Sequence, residues 1–324
     1  MTDTKAPIFI IGRQHCGNTM LATMLGRHPK VHASIGEGTF FERIDSIDDE
    51  TVERRRQRVA RELAHASQPV LEENLQEVLR THLREEMQQR KAADLYAAGK
   101  AVLTKRNGAV RWAQKATSYI FYVERILEAF PDARLLFLAR NPLDLAASVQ
   151  RRQHYWDIAR TIWGWNVGVR RALERADKRP ANFRLHRYED LVRHPEEELR
   201  AITDFCDLQY SSDCLEIPHI NPSEDPYTET DEASRPTASR VFYYQDVLTS
   251  TNEMAVRTLA SQELIERLYP DLPSPRDTFV WEKWQRAGIL VGASVLQAAR
   301  QHAGTLLQNP GRTVRRLKKR LLDA

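Results

Sequence analysis

Gly12, Gly17, Asn18 and Thr19 stand in the spacing Gly-x4-Gly-Asn-Thr, between an apolar run at 8–11 and an apolar, helix-spaced segment at 20–25. A short apolar run closed by glycine reads as a buried parallel strand. Strand, glycine-bracketed turn and helix together aim backbone N–H groups and the positive end of a helix at an anion. The spacing is that of a P-loop whose lysine is replaced by Asn18. Backbone N–H groups and the Thr19 hydroxyl suffice for one phosphate. They do not replace the cation that meets the terminal phosphates of a nucleoside triphosphate. An ordinary strand–turn–helix is the plainer alternative.

Arg140 is the second chemical feature. The strand before it, Arg134–Ala139, is apolar, and a metal-organising strand would end in an aspartate at this point. A cation there, beside a P-loop without lysine, suits an anion bound without a metal. Ser148 lies eight residues on, in a helix opened by Pro142. A strand-end arginine and a hydroxyl two turns into the next helix can grip one oxyanion, the first as a fork. The alternative for Arg140 is a structural ion pair. Glu37, bracketed by Gly36 and Gly38, and Lys115, at the end of an extended stretch at 110–116, complete the candidates.

Strands at 8–11, 30–36, 110–116, 134–139 and 183–188 alternate with helical segments, which implies an α/β fold with a doubly wound parallel sheet. Ligands then sit beyond the carboxyl ends of the strands, where the loops at Gly12, Glu37, Lys115, Arg140 and Glu189 all open. Helices are expected at 118–130, 156–177, 195–206 and 251–268, and residues 207–250 read as loops. Residues 48–98 read as a helical insertion, with Arg54, Arg55, Arg56, Arg58 and Arg61 on a solvated face. Leu71, Leu75, Val78, Leu79, Leu83 and Met87 form its apolar stripe. It is a candidate wall or lid over the acceptor.

The chain has 324 residues, 42% hydrophobic and 28% charged, with a net charge of +4. That is ample for one large domain, assigned to 1–275, with a helical appendage at 276–324. The mild charge demands no nucleic acid. Cys16, Cys206 and Cys214 lack zinc spacing, and their odd number argues against a disulfide framework. The N-terminus does not read as a signal peptide and no apolar run spans a bilayer, so a cytoplasmic location is expected. In the appendage, Ile289, Ala293, Leu296, Ala299, Ala303 and Leu306 follow helical spacing, and a basic helix follows Pro310. Docking on the domain or a homodimer partner competes there with peripheral contact on anionic lipid.

These motifs resemble those of the sulfotransferases that use 3′-phosphoadenylyl sulfate (PAPS), in particular the carbohydrate-type and bacterial members. Their 5′-phosphate loop is matched by Gly12, Cys16, Gly17, Asn18 and Thr19, and their 3′-phosphate pair by Arg140 and Ser148. The run from Arg187 to Leu191 is also typical of them. Lys115-Ala116-Thr117-Ser118-Tyr119 is similar to their Lys-Thr-Pro-x-Tyr, and residues 36–41 to a Lys-Glu-Pro-His-Phe-Phe run that carries a catalytic glutamate. Ser239-Arg240-Val241 resembles their late arginine segment. His15 stands where they usually have arginine or lysine, and Gly38 where they have proline.

The resemblance implies a P-loop-like domain and transfer of a sulfuryl group to a hydroxyl or amine, releasing adenosine 3′,5′-bisphosphate (PAP), with no metal. It implies Glu37 as base, Lys115 and His15 as catalytic cations, and Arg13, Gln14, His15, Cys16, Gly17, Asn18, Thr19, Met20, Arg140, Ser148, Tyr188 and Arg240 around the donor. Met20 or Tyr188 packs on adenine in this reading. The acceptor is a small molecule, lipid or carbohydrate. The competing readings are a small-metabolite kinase with Glu189 or Asp190 on its metal, and a silent nucleotide-binding protein.

Overall fold

The computed structural model describes residues 6–67, 75–85, 91–152, 158–217 and 235–275, with single positions at 285, 288 and 292. Five strands, β1 (Ile8–Gly12), β2 (Val31–Ser34), β3 (Arg111–Lys115), β4 (Arg134–Ala139) and β5 (Phe183–Arg187), form one sheet in the order β2-β3-β1-β4-β5. Every pairing is parallel. Residues 8–11 are all fully buried, because β1 has strands on both sides and helices on both faces.

Side chains alternate along a strand, so β1 feeds two cores. Ile8 and Ile10 pack with α1 (Asn18–Gly26), α9 (Tyr188–Arg193) and α10 (Pro195–Phe205). Phe9 and Ile11 face the larger core. That side holds the insertion, α2 (Phe40–Asp48), α3 (Val52–Ala66), α4 (Leu75–Glu85) and α5 (Ala92–Arg106), then α6 (Val123–Ala129), α7 (Pro142–Arg152) and α8 (Ile158–Lys178). After α11 (Tyr244–Val247), α12 (Ser250–Leu259) and α13 (Gln262–Leu268) complete it. From β1 the chain leaves through α1 for β2 on one side. From β3 it crosses to β4 on the other. The sheet therefore reverses its winding at β1 and β4, and the crevice beyond their carboxyl ends is where such folds take ligands.

The expected strands form, and three helical expectations change. The insertion starts at Phe40 rather than 48 and ends at Arg106. Phe40 and Phe41 open it because both are buried, with Phe40 stacked on Tyr96 at 4.2 Å. The segment 118–130 is a single 3₁₀ turn, Tyr119–Phe121, followed by α6. Its run of aromatic and β-branched residues is poor helix material, and Tyr119 turns inward to meet the Phe41 N–H. The stretch expected as one helix from 251 to 268 breaks between α12 and α13, where Asn166 of α8 takes both broken ends. Its Nδ2 donates to the Leu259 carbonyl at 2.9 Å, and its Oδ1 accepts the Ser261 N–H at 2.8 Å.

Leu79 and Leu83 of the insertion stripe are buried, while Val78 is exposed. Arg54 and Arg61 are exposed, and the other three arginines are absorbed locally. Arg56 pairs with Glu53, Arg58 with Glu50, and Arg55 donates to the carbonyls of Ile47, Asp48 and Glu50. Leu71, Met87, Trp156 and the side chain of Leu75 lie outside the described residues. So does the appendage at 276–324 apart from the single positions. Among the described residues no helix is long and apolar enough to cross a membrane.

Candidate active site

The turn after β1 is shaped by two left-handed residues, His15 at φ 68° and Gly17 at φ 92°. Gly17 is the residue before α1, and its close approach to Tyr188 leaves no room for a Cβ, which would lie 2.7 Å from the ring. Asn18 is almost fully buried, and its Nδ2 donates to the Arg13 carbonyl at 2.9 Å. The residue in the P-loop lysine position thus staples the turn from inside. It presents a backbone N–H to the crevice edge rather than a side chain. The first-turn N–H groups of α1, at Asn18, Thr19 and Met20, have no acceptor inside the helix.

Cys16 also faces inward. Burial pushes its thiol up to about 12, and its N–H donates to the Arg13 carbonyl. Gln14 is exposed, and His15, Thr19 and Met20 are half-buried. The Arg13 guanidinium lies against Gly164 of α8, where a Cβ would come within 2.7 Å of Cζ.

Arg140 joins this turn to the other candidate cradle. Its guanidinium donates to the His15 carbonyl at 3.1 Å and to the Arg240 carbonyl at 2.8 Å. It lies over the Tyr188 ring at 4.3 Å and the Tyr243 ring at 5.3 Å. Its Nε is buried and has no hydrogen-bond partner among the described residues. Burial works against the charge, yet Tyr188 and Asp144 outweigh it, and the pKa of Arg140 is raised. Arg240 stacks over Tyr243 as well, at 5.3 Å, and Ser148 lies near the Tyr243 hydroxyl, whose pKa burial raises and Arg140 and Ser148 lower. Arg140, Ser148 and Arg240 therefore meet around one aromatic ring that the sequence did not single out.

Two buried carboxylates hold this arrangement. Asn141 caps α7 by accepting the Asp144 N–H at 2.8 Å. Asp144 accepts from Asn141 Nδ2 and from the N–H groups of Phe242 and Tyr244, at 2.7, 2.8 and 3.0 Å. It is pinned across the residue before Tyr243 and the residue after it. Glu189 accepts twice from Asn141, at 2.9 and 2.8 Å, and burial raises its pKa.

Glu37 and Lys115 meet at the edge of β3. Ile10 and Lys115 are register partners, so Lys115 emerges beside the Gly12 turn. Its Nζ is 3.1 Å from Glu37 Oε2, while Glu37 Oε1 accepts the N–H and hydroxyl of Thr117, each at 2.6 Å. Gly38 donates its N–H to the Lys115 carbonyl at 2.9 Å, a bond that proline cannot make. The insertion supports this loop. Glu62 of α3 accepts from the Thr39 hydroxyl and from Arg43. Thr117 aside, the supporting residues carry no sequence signal, since buried polar contacts between distant segments have no local pattern.

Beneath this loop lies Lys100, fully buried, whose pKa burial pushes down to about 7. His32, pushed down to about 4 by burial and by Lys100, faces the same charge. The unfolded chain titrates Lys100 at 10.5, so between about 7 and 10.5 the unfolded chain holds the extra proton. Stability therefore rises with pH in that window, by at most ~1.4 kcal/mol per pH unit. Above 9 the buried Cys16 and Cys206 thiols, both pushed up to about 12, oppose it. Tm should climb from pH 7 to pH 9 in the wild type, and less steeply in Lys100→Met. Parallel curves would mean that Lys100 titrates normally.

The chain matches the family model described as "Sulfotransferase family" over residues 7–212. It is 28% identical over 223 residues to an uncharacterised protein of Aquifex aeolicus (strain VF5), covering 66% of this chain and 27% of that protein. The chain thus spans about a quarter of that relative. Among solved structures it is similar to the sulfotransferase domain of the Synechococcus PCC 7002 olefin synthase. That match has 19% identity and a TM-score of 0.48, over 89% of this chain and 96% of that one. The sulfotransferase domain from the curacin biosynthetic pathway has 17% identity and a TM-score of 0.49, over 88% and 97%. The strand-end turn and the arginine beside it both fall within the matched residues, and this chain belongs to the sulfotransferase family.

Proposed function

We propose that this protein transfers a sulfuryl group from PAPS to a hydroxyl or amine and releases PAP. The observation that supports this reading is Arg140, whose guanidinium bonds the turn after β1 and the segment of Arg240 at once. Two anion cradles one arginine apart suit a nucleotide phosphorylated at both the 5′ and the 3′ positions. The chemistry of the groups fits: a buried guanidinium nitrogen without a partner among the described residues, and first-turn N–H groups without acceptors inside their helix, both suit anionic oxygens.

In this reading the N–H groups of Gly17, Asn18 and Thr19 and the Thr19 hydroxyl hold the 5′-phosphate. Arg140, Ser148 and Arg240 hold the 3′-phosphate, and Met20 or Tyr188 lies against adenine. The donor, when bound, supplies the sulfuryl group, which passes to the acceptor as its bond to the phosphate oxygen breaks. The chain's part is positioning and charge stabilisation. Glu37 takes the acceptor's proton through Oε2, because Thr117 occupies Oε1. Lys115, paired with Glu37, faces the transferred group from the edge of β3, and His15 offers a second donor from the turn after β1. The kinase reading is disfavoured by its carboxylates. Glu189 is buried on the α7 cap, and Asp190 pairs with Arg187.

Thermal shift tests the proposal. PAP at 100 times its Kd, without magnesium, adds about 2.7 kcal/mol and raises Tm by about 4 °C. No shift with PAP, or a larger one with Mg-ATP, overturns it. A transfer screen over sugars, lipids, phenols and amines then identifies the acceptor.

A further inference from the structure

Below the Glu37–Lys115 pair lies a polar cluster with no part in the proposed chemistry. Gln114 precedes Lys115 on β3, points to the opposite face, and is fully buried. Its Nε2 donates to the Lys115 carbonyl at 2.7 Å and the Gly36 carbonyl at 3.1 Å. These carbonyls belong to Lys115 itself and to the residue before Glu37. Its Oε1 accepts from Lys100 Nζ at 2.6 Å and from the Tyr96 hydroxyl at 3.3 Å. Lys100 also donates to the Ser34 hydroxyl, at 2.7 Å, on the strand that leads into the Glu37 loop.

We propose that Lys100 and Gln114 are positioning residues that set the geometry of the Glu37–Lys115 pair. An amide can sit either way round, and what surrounds it decides. The Lys115 and Gly36 carbonyls can only accept, and Lys100 Nζ, charged or neutral, donates to the other end of the amide alongside the Tyr96 hydroxyl. The amide must therefore turn its NH₂ toward the loop carbonyls. Reversed, it would set its oxygen against two carbonyls that cannot donate. Gly38 belongs to the same device, because a Cβ there would press within 3.1 Å of the Gln114 amide. A fully buried lysine with no carboxylate among its hydrogen-bond partners is costly to keep. Orienting this amide accounts for it.

The inference rests on the reading that Glu37 and Lys115 do the chemistry, so its test also has a readout that needs no turnover. Gln114→Glu keeps an acceptor for Lys100, now a charged one, which preserves folding. It removes both bonds to the loop carbonyls and sets a carboxylate against them. Acetylation of Lys115 by acetic anhydride, followed by peptide mass spectrometry, should run about tenfold faster than in the wild type, where the amine is paired and largely covered. Lys100→Met should act in the same direction, and serves alone if Gln114→Glu does not fold. Leu95→Ala, in the core of the same helix as Lys100, should lower Tm without changing Lys115 acetylation. PAP release from PAPS with water as acceptor should fall about tenfold in Gln114→Glu, with KM for PAPS unchanged. Acetylation within twofold of wild type in whichever of the two variants fold, or equal acceleration in Leu95→Ala, overturns the inference. Faster acetylation in a protein whose wild type transfers nothing keeps the positioning and removes only the enzymatic reading.

Discussion

Lys115→Ala lowers sulfuryl transfer at saturating PAPS by about 100-fold or more and leaves PAP affinity within about threefold. The size follows from what the amine does. A preorganised donor aimed at developing charge contributes about 10² to 10³ in kcat, and a positioned base about 10² to 10⁴. Lys115 touches both functions, because its Nζ lies 3.1 Å from Glu37 Oε2 at the edge of the crevice. Glu37→Gln should lose as much. The amide keeps the Thr117 contacts at its carbonyl but cannot take a proton. PAP binding survives in both, because neither side chain belongs to the cradles around Gly17 or Arg140. Lys115→Arg restores the charge without the compact ammonium and should recover only part of the rate. Transfer within tenfold of wild type in both Lys115→Ala and Glu37→Gln removes the two roles. Loss of PAP binding along with transfer would instead mean that the pair holds the loop of the nucleotide site.

Much of this arrangement was legible in the sequence where its cause is local. Residues 8–11 had to be a buried strand, since apolar groups on both faces need cover on both faces. The turn at Gly12 and Gly17 and the strand end before Arg140 were legible because glycine spacing and the close of an apolar run are local patterns. What the sequence hid is the cross-chain half of the site. Asp144 reaches Phe242 and Tyr244, about a hundred positions on, and Gln114 reaches Gly36. A buried acceptor and its distant donor leave no period and no spacing. Asn18 divides between the two cases. Its backbone N–H remains the proposed phosphate contact, while its side chain, which the sequence left without a role, reaches its own turn. The break at Ala260 was hidden for the same reason, since the residue that caps both ends, Asn166, lies on another helix.

Asp144 carries the second large expectation, and there two effects oppose each other. Its carboxylate anchors the segment of Arg240 and Tyr243 through the N–H groups of Phe242 and Tyr244. Phe242 needs that anchor, because a bulky residue at φ 59° costs about 1–2 kcal/mol. Asp144→Asn turns one oxygen into an NH₂ that faces a backbone N–H. Each charged hydrogen bond so lost is worth about 1.5–3 kcal/mol, enough for the turn to relax and carry Arg240 and Tyr243 away from Arg140 and Ser148. Against this, removing a carboxylate beside Arg140 makes the cradle more positive and by itself favours a phosphate. The carboxylate already spends its charge on three donors and helps hold Arg140 ionised, so geometry should win. Affinity for PAP should fall about 10- to 100-fold, while affinity for adenosine 5′-phosphate, which reaches only the cradle at Gly17, stays within about twofold. A wild type that does not prefer PAP to adenosine 5′-phosphate removes the 3′-phosphate cradle altogether. A wild type that prefers it, with an Asp144→Asn variant that binds PAP as well or better, leaves the cradle standing and shows that Asp144 acts there only as a charge.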